Sequence, residues 1–142
     1  MPLAEAEVLE LLEHRVEACR SKDIDALMAL YAPDIVYFDV VPPLRFVGQE
    51  SVRGNFLRWF AEYDGPIGLD TRDMAVTSMG EVAFAHMLHE DSGNRHLPEG
   101  ESLWLRSTSC CRRIDNKWLI THEHISLTVD FRSGRALVDL KP

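Results

Sequence analysis

KWLITHEHISLTV, Lys117 to Val129, is the stretch from which the fold can be read. Trp118, Ile120, Thr121, Ile125, Thr128 and Val129 are branched or aromatic residues that suit a pleated surface, so the segment reads as a long β-strand. Side chains alternate between the two faces of a strand. One face then holds Trp118, Ile120, His122, His124, Ser126 and Thr128; the other holds Leu119, Thr121, Glu123, Ile125, Leu127 and Val129. The first face opens apolar and turns polar at its middle. That suits the wall of a partly apolar hollow better than a surface packed wholly on helices. The expectation is therefore a cavity lined by His122, His124 and Ser126.

Working outward, the residues before this strand read as further strands. Asp115 and Asn116 make a hairpin turn, and Glu101 to Ile114 is its long antiparallel partner. Asp91 to Glu99 reads as a polar loop. Glu81 to Glu90 is a strand with Val82, Phe84, His86 and Leu88 on one face and His89 on the other, which makes His86 a further candidate pocket imidazole. Leu69 to Ser78 is the strand before it, and Asp64, Gly65 and Pro66 turn the chain into it.

The N-terminal third is helical. Val8, Leu12, Val16 and Cys19 form the stripe of an amphipathic helix over Leu3 to Arg20. Asp23 is an N-cap for a short second helix, which Pro33 closes. Ile35 to Val41 is a strand with Ile35, Tyr37, Asp39 and Val41 on one face. Gln49 to Tyr63 is a third helix with a bulky stripe of Val52, Phe56, Trp59, Phe60 and Tyr63. Helices first and an antiparallel sheet afterwards is an α+β pattern. A curved sheet closed at one end by three helices predicts a cone-shaped α+β barrel. The 142 residues form one domain, 1–142, with its core at about 8–129 and a C-terminal tail over 130–142.

Composition narrows the partners. A net charge of −8 argues against a nucleic-acid backbone or an anionic membrane surface. No run of eighteen apolar residues suggests a membrane span, and the acidic N-terminus reads as mature structure rather than a signal peptide. Three cysteines, Cys19, Cys110 and Cys111, read as reduced, buried thiols of a cytoplasmic protein. There is no phosphate-binding loop, nucleophile elbow or zincin helix.

The order of helix, helix ending in LYAPDIVYFD, a V-G-x-E-S-V-R helix and four strands ending WLITHEHIS resembles the SnoaL-like branch of the nuclear transport factor 2-like superfamily. The resemblance spans roughly Val8 to Val129. It implies a ketosteroid isomerase-like, cystatin-like α+β fold shared by isomerases, dehydratases, polyketide cyclases and non-catalytic association domains. Set against ketosteroid isomerase, it puts Asp39 at the catalytic-base position. The enzyme's two oxyanion donors fall at about Arg15 and Cys110, neither of which is the expected Tyr or Asp. With Cys110 at a cavity position, its strand face would also bring in Trp104 as a stacking wall and Arg106 as an anion or carbonyl anchor.

The candidate catalytic residues are thus Asp39, His122, His124 and Tyr37, and the candidate ligand-binding residues are Trp104, Arg106, His86, Ser126 and Cys110. A carboxylate in an apolar strand is costly unless solvated, paired or functional. Asp39 is either a general base or half of an ion pair with Arg15, Arg45 or Arg106. The histidines could move protons near neutral pH, satisfy one another, or hold a metal with Asp39 or His86; H-x-H alone is nonspecific, and no metal or cofactor is expected. Two functions stay open. One is an enzyme doing acid–base chemistry on a small apolar carbonyl or hydroxyl compound; the other is a non-catalytic ligand-binding or dimerisation module. An apolar outer face of Leu103, Leu105, Leu119, Ile125 and Leu127 suggests a homodimer through the sheet.

Overall fold

The computed structural model describes residues 2–142. Helix α1 spans Leu3–Arg20 and buries Val8, Leu11, Leu12, Val16 and Cys19, together with Arg15. Helix α2, Ile24–Met28, is capped as its sequence predicts: the Asp23 carboxylate accepts from the Ala26 amide at 3.1 Å. It ends before Pro33, because strand β1, Tyr31–Phe38, already runs through that residue. Pro33 has no amide to give a ladder, and the pairing of β1 is irregular between Tyr31 and Val36. Strand β2 is Phe46–Val47, and helix α3, Gln49–Phe60, buries Val52, Asn55, Phe56 and Phe60.

Four long strands follow: β3 (Gly68–Met79), β4 (Val82–Ser92), β5 (Ser102–Ile114) and β6 (Lys117–Ser126). The sheet order is β2-β1-β6-β5-β4-β3. Every pairing is antiparallel except β1 with β6, which is parallel. The sheet curves around the three helices and its edge strands do not meet, so the barrel is an open cone. The tail turns back as a small hairpin of β7 (Val129–Asp130) and β8 (Arg135–Ala136) rather than adding to the main sheet.

Strand parity is where the sequence expectation fails. On β6, Trp118 and Ile120 are buried, and so are Glu123 and Ile125. A uniform strand cannot bury residues of both parities on one face. The register explains it: Cys111 lies opposite Ile120 but Cys110 lies opposite His122, which leaves Thr121 as an extra residue. This is a β-bulge, and it exchanges the faces of everything beyond it. His122, His124 and Ser126 therefore lie on the outer face.

The neighbouring strands agree with that inversion. On β4 the inward residues are Ala83, Ala85, Met87, His89 and Asp91, and His86 faces out. On β5 they are Leu105, Ser107, Ser109 and Cys111, so Trp104, Arg106 and Cys110 also face out. All three cysteines are free, with Cys19 and Cys111 buried and Cys110 half-buried. On β1, Ile35 and Tyr37 point inward as expected.

Because the bulge sets which residues the core receives, removing it should be costly. Deleting Thr121 would turn either Trp118 with Ile120 or Glu123 with Ile125 out of the core. The first outcome loses two large apolar side chains, about 3–6 kcal/mol, and the second strands the buried Arg15 charge, about 3–5 kcal/mol; either rivals the whole stability of a small domain. Urea unfolding should show the deletion variant unfolded or nearly so. Thr121→Val, which loses only a bond to the Cys110 carbonyl, should stay within about 1 kcal/mol of the parent.

Candidate ligand cavity

Between the helices and the concave sheet face lies a cavity of about 110 Å³. Its apolar lining includes Phe56, Leu69, Leu103, Leu105 and Ile125. Three of the residues expected to form a dimer patch, Leu103, Leu105 and Ile125, thus line this interior instead. Polar groups are set into it at the base and on two walls.

At the base, the Arg15 guanidinium meets the Glu123 carboxylate. Arg15 Nε lies 3.0 and 2.8 Å from the two carboxylate oxygens and also donates to the Tyr31 hydroxyl at 2.8 Å. Tyr31 in turn donates to Glu123 Oε1, and Ser109 donates to Oε2 at 2.6 Å. Glu123 is fully buried and Arg15 is 4% exposed. Burial disfavours the Arg15 charge, but Glu123, with smaller help from Tyr31, holds its pKa well above the usual value. With both oxygens engaged, Glu123 is a fixed counter-ion.

On one wall stand Tyr37 of β1 and Asp39, which follows the last strand residue, Phe38, rather than lying within a strand that runs on to Val41. Asp39 Oδ2 accepts from Asn55 Nδ2 at 2.8 Å and Oδ1 from the Val40 amide at 2.7 Å. Its nearest cation is Arg58 of α3, at 4.0 Å, rather than Arg15, Arg45 or Arg106. Tyr37 is buried with its ring edge-on to Phe56, and burial keeps its phenol protonated. Among the described residues only His89 Nε2 and Ser107 Oγ are buried side-chain polar atoms without a partner. The Tyr37 hydroxyl makes no side-chain bond either, so it keeps open surface in the cavity.

The opposite wall is β4, which contributes His89 and Asp91 two residues apart. Tyr63 donates to Asp91 Oδ1, and Trp59 Nε1 donates to Oδ2 at 3.3 Å. Burial lifts the Asp91 pKa from 3.8 to about 6 against those two bonds. His89 Nδ1 sits 2.8 Å from Thr71 Oγ1. Burial, then the nearby Arg15 charge, lowers its pKa from 6.5 to about 3, so the imidazole is neutral.

Of the sequence-predicted site, Asp39 and Tyr37 meet at this cavity. His122, His124, His86, Trp104, Arg106, Ser126 and Cys110 do not. They lie across the sheet, where His122 Nδ1 is 2.7 Å from the Val36 carbonyl and Phe38 packs edge-on to both His122 and His124. Arg106 donates to Ser126 Oγ at 3.1 Å. His124 and Ser126 border a shallow outer recess that Asp39 also reaches. Among the described residues no three His, Cys, Asp or Glu side chains are placed to share a metal ion.

Residues 8–130 match the family described as the SnoaL-like domain. The chain belongs to the SnoaL-like family. Its likeness to solved structures runs further along the chain. An NTF2-like protein of unknown function from Pseudomonas putida KT2440 is 32% identical, over 98% of this chain and 96% of that one, with a TM-score of 0.91. A ketosteroid isomerase-like protein from Erwinia carotovora atroseptica is 17% identical, over 89% and 97%, with a TM-score of 0.74. A protein with a cystatin-like fold from Nostoc punctiforme is 16% identical, over 88% and 91%, also at 0.74. The last two establish the fold alone. No curated protein matches the chain.

In this SnoaL-like protein the cavity residues outside the expected site are Arg15, His89, Asp91 and Glu123, of which the resemblance had pointed only to the position of Arg15. Arg15 falls on the apolar stripe of α1, between Leu12 and Val16, which was a usable signal. Asp91 carried none, because a strand end and a polar loop read alike.

The two β4 groups should impose opposite pH dependences. Unfolded Asp91 loses its proton near pH 3.8 and folded Asp91 near 6, so its burial costs stability increasingly as pH rises through that window. Unfolded His89 gains a proton below 6.5 but folded His89 only near 3, so its burial costs stability increasingly as pH falls. In urea unfolding, Asp91→Asn should gain about 2 kcal/mol on the parent between pH 4 and pH 6.5. His89→Leu should gain on the parent in the reverse direction over the same range.

Proposed function

We propose that this chain is a small-molecule enzyme that moves a proton next to a carbonyl or hydroxyl of a small, largely apolar compound, without a cofactor. The observation that carries the proposal is the meeting of an oriented carboxylate, Asp39, with an open, protonated phenol, Tyr37, on one apolar cavity. Asp39 would act as general base, its oxygens held by Asn55 and the Val40 amide. Tyr37 would donate to the oxygen on which negative charge develops. Asp91 adds a carboxyl group that exchanges its proton near pH 6, where a second acid or base is most useful. Isomerisation, dehydration, hydrolysis and cyclisation all begin with such transfers, and the ketosteroid isomerase-like relative supports the reading at the level of fold.

The test needs no prior substrate. In D₂O, a panel of small ketones and hydroxyketones is followed by NMR for exchange of protons beside the carbonyl. The protein should accelerate exchange of at least one compound. Asp39→Asn should fold normally and lose about 100-fold or more of the rate. Equal rates in the two proteins would remove Asp39 as the base. Binding without any exchange would leave a non-catalytic ligand-binding module.

We also propose a homodimer through the outer sheet face. Val82 and Phe84 are about half exposed there, at 53% and 49%, beside the exposed Met79. A second copy covering this face would remove that apolar surface from water. Sedimentation at micromolar concentration should give the dimer mass, and Phe84→Glu should shift it toward monomer. A monomeric parent protein would discard the proposal.

A further inference from the structure

Arg15 is only partly used by the protein that buries it. An arginine carries five N–H donors, and here Nε alone serves Tyr31 and Glu123. Among the described residues no acceptor hydrogen-bonds its two terminal nitrogens, yet they are not among the buried atoms lacking a partner. They therefore keep open surface. Because Arg15 is 4% exposed and borders the cavity, that surface faces the cavity. A buried cation with most of its donors free requires an acceptor.

The neighbouring carboxylates are already engaged. Glu123 is held by Arg15, Tyr31 and Ser109. Asp39 takes Asn55 and the Val40 amide. Glu62 takes Arg58 at 2.7 Å and Asn94 at 3.0 Å. Asp91 takes Tyr63 and Trp59. The Tyr37 hydroxyl lines the same cavity and lies within the electrostatic reach of Arg15, so it is a second donor for the same acceptor.

We propose that Arg15, assisted by Tyr37, binds the carboxylate of the ligand, so that the cavity takes a small monocarboxylate with a compact apolar body. The two terminal nitrogens form a planar fork that matches the two oxygens of a carboxylate. A single carbonyl oxygen would leave part of the fork unmet, which is costly away from water. Phe56, Leu105 and Ile125 receive the apolar body. This names the ligand class of the cavity and rests on reading that cavity as the ligand site.

Isobutyrate and its uncharged isostere isobutyramide are the probes, titrated into the protein by ¹H–¹⁵N NMR with the Arg15 Nε–H resonance as the local reporter. Isobutyrate should bind at least about tenfold more tightly than the amide and shift that resonance. Tyr37→Phe should weaken isobutyrate about five- to tenfold. The paired replacement Arg15→Met with Glu123→Met removes both charges together, so it avoids an unpaired buried ion; it should abolish the preference for the anion. If that variant does not fold, the Arg15 reporter and Tyr37→Phe decide. Equal affinities, shifts located elsewhere, an unaffected Tyr37→Phe, or no binding at millimolar concentration would each overturn the proposal. Asp39→Asn should still bind isobutyrate. Loss of the proton-exchange reading with isobutyrate binding intact would thus sink the reaction and spare the ligand class.

Discussion

The buried charge pair of Arg15 and Glu123 joins the first helix to the last long strand across 108 residues of sequence. Removing either partner alone would strand a charge in the interior, at a cost of about 3–5 kcal/mol. Yet a well-packed apolar pair could fill the same space at no loss, so stability by itself does not account for charges here. The geometry offers another reason. Glu123, itself held by Ser109, and Tyr31 hold the guanidinium at Nε and leave its other end open to the cavity. The pair is both the keystone between helix and sheet and the floor of the site.

Glu123 reaches that position only because of the bulge at Thr121. Before it, β6 sends Trp118 and Ile120 into the core beneath α1, where the indole donates to Glu7 at 2.9 Å. After it, the same face carries Glu123 and then Ile125. One additional backbone residue thus divides the strand into an apolar anchoring half and a half that furnishes the cavity. The histidines of the motif pass to the other side, where Phe38 packs edge-on against both rings.

The cavity so built combines groups with opposed electrical preferences. Arg15 and Arg58 are matched by Glu123 and Glu62, while Asp91 and the neutral His89 occupy the β4 wall. Burial raises the acid and lowers the base, and either shift costs folding energy in part of the pH range. Groups held off their ordinary titration ranges in a concave site are the usual mark of chemistry or binding. Belonging to the SnoaL-like family fixes the scaffold, and the reaction must still be argued from these side chains.

The sequence by itself determined the elements and their order. The stripe of α1, the Asp23 cap, the long strands and the shared face of Tyr37 and Asp39 all follow from local periodicity, which the chain carries residue by residue. It also carried the family, through motifs spread along most of its length. Only the tertiary structure decided which sheet face meets the helices, because strand alternation is symmetric and names two faces without choosing between them. A bulge leaves no reliable mark in a run such as LITHEH, so His122, His124 and Ser126 passed to the outside unseen, while His86, Trp104, Arg106 and Cys110 sat on the outer faces of regular strands whose direction alternation alone does not name. Arg15 and Asp91 became site residues through partners distant in sequence, Glu123 for one and Tyr63 with Trp59 for the other. Contacts of that kind exist only once the chain has closed on itself.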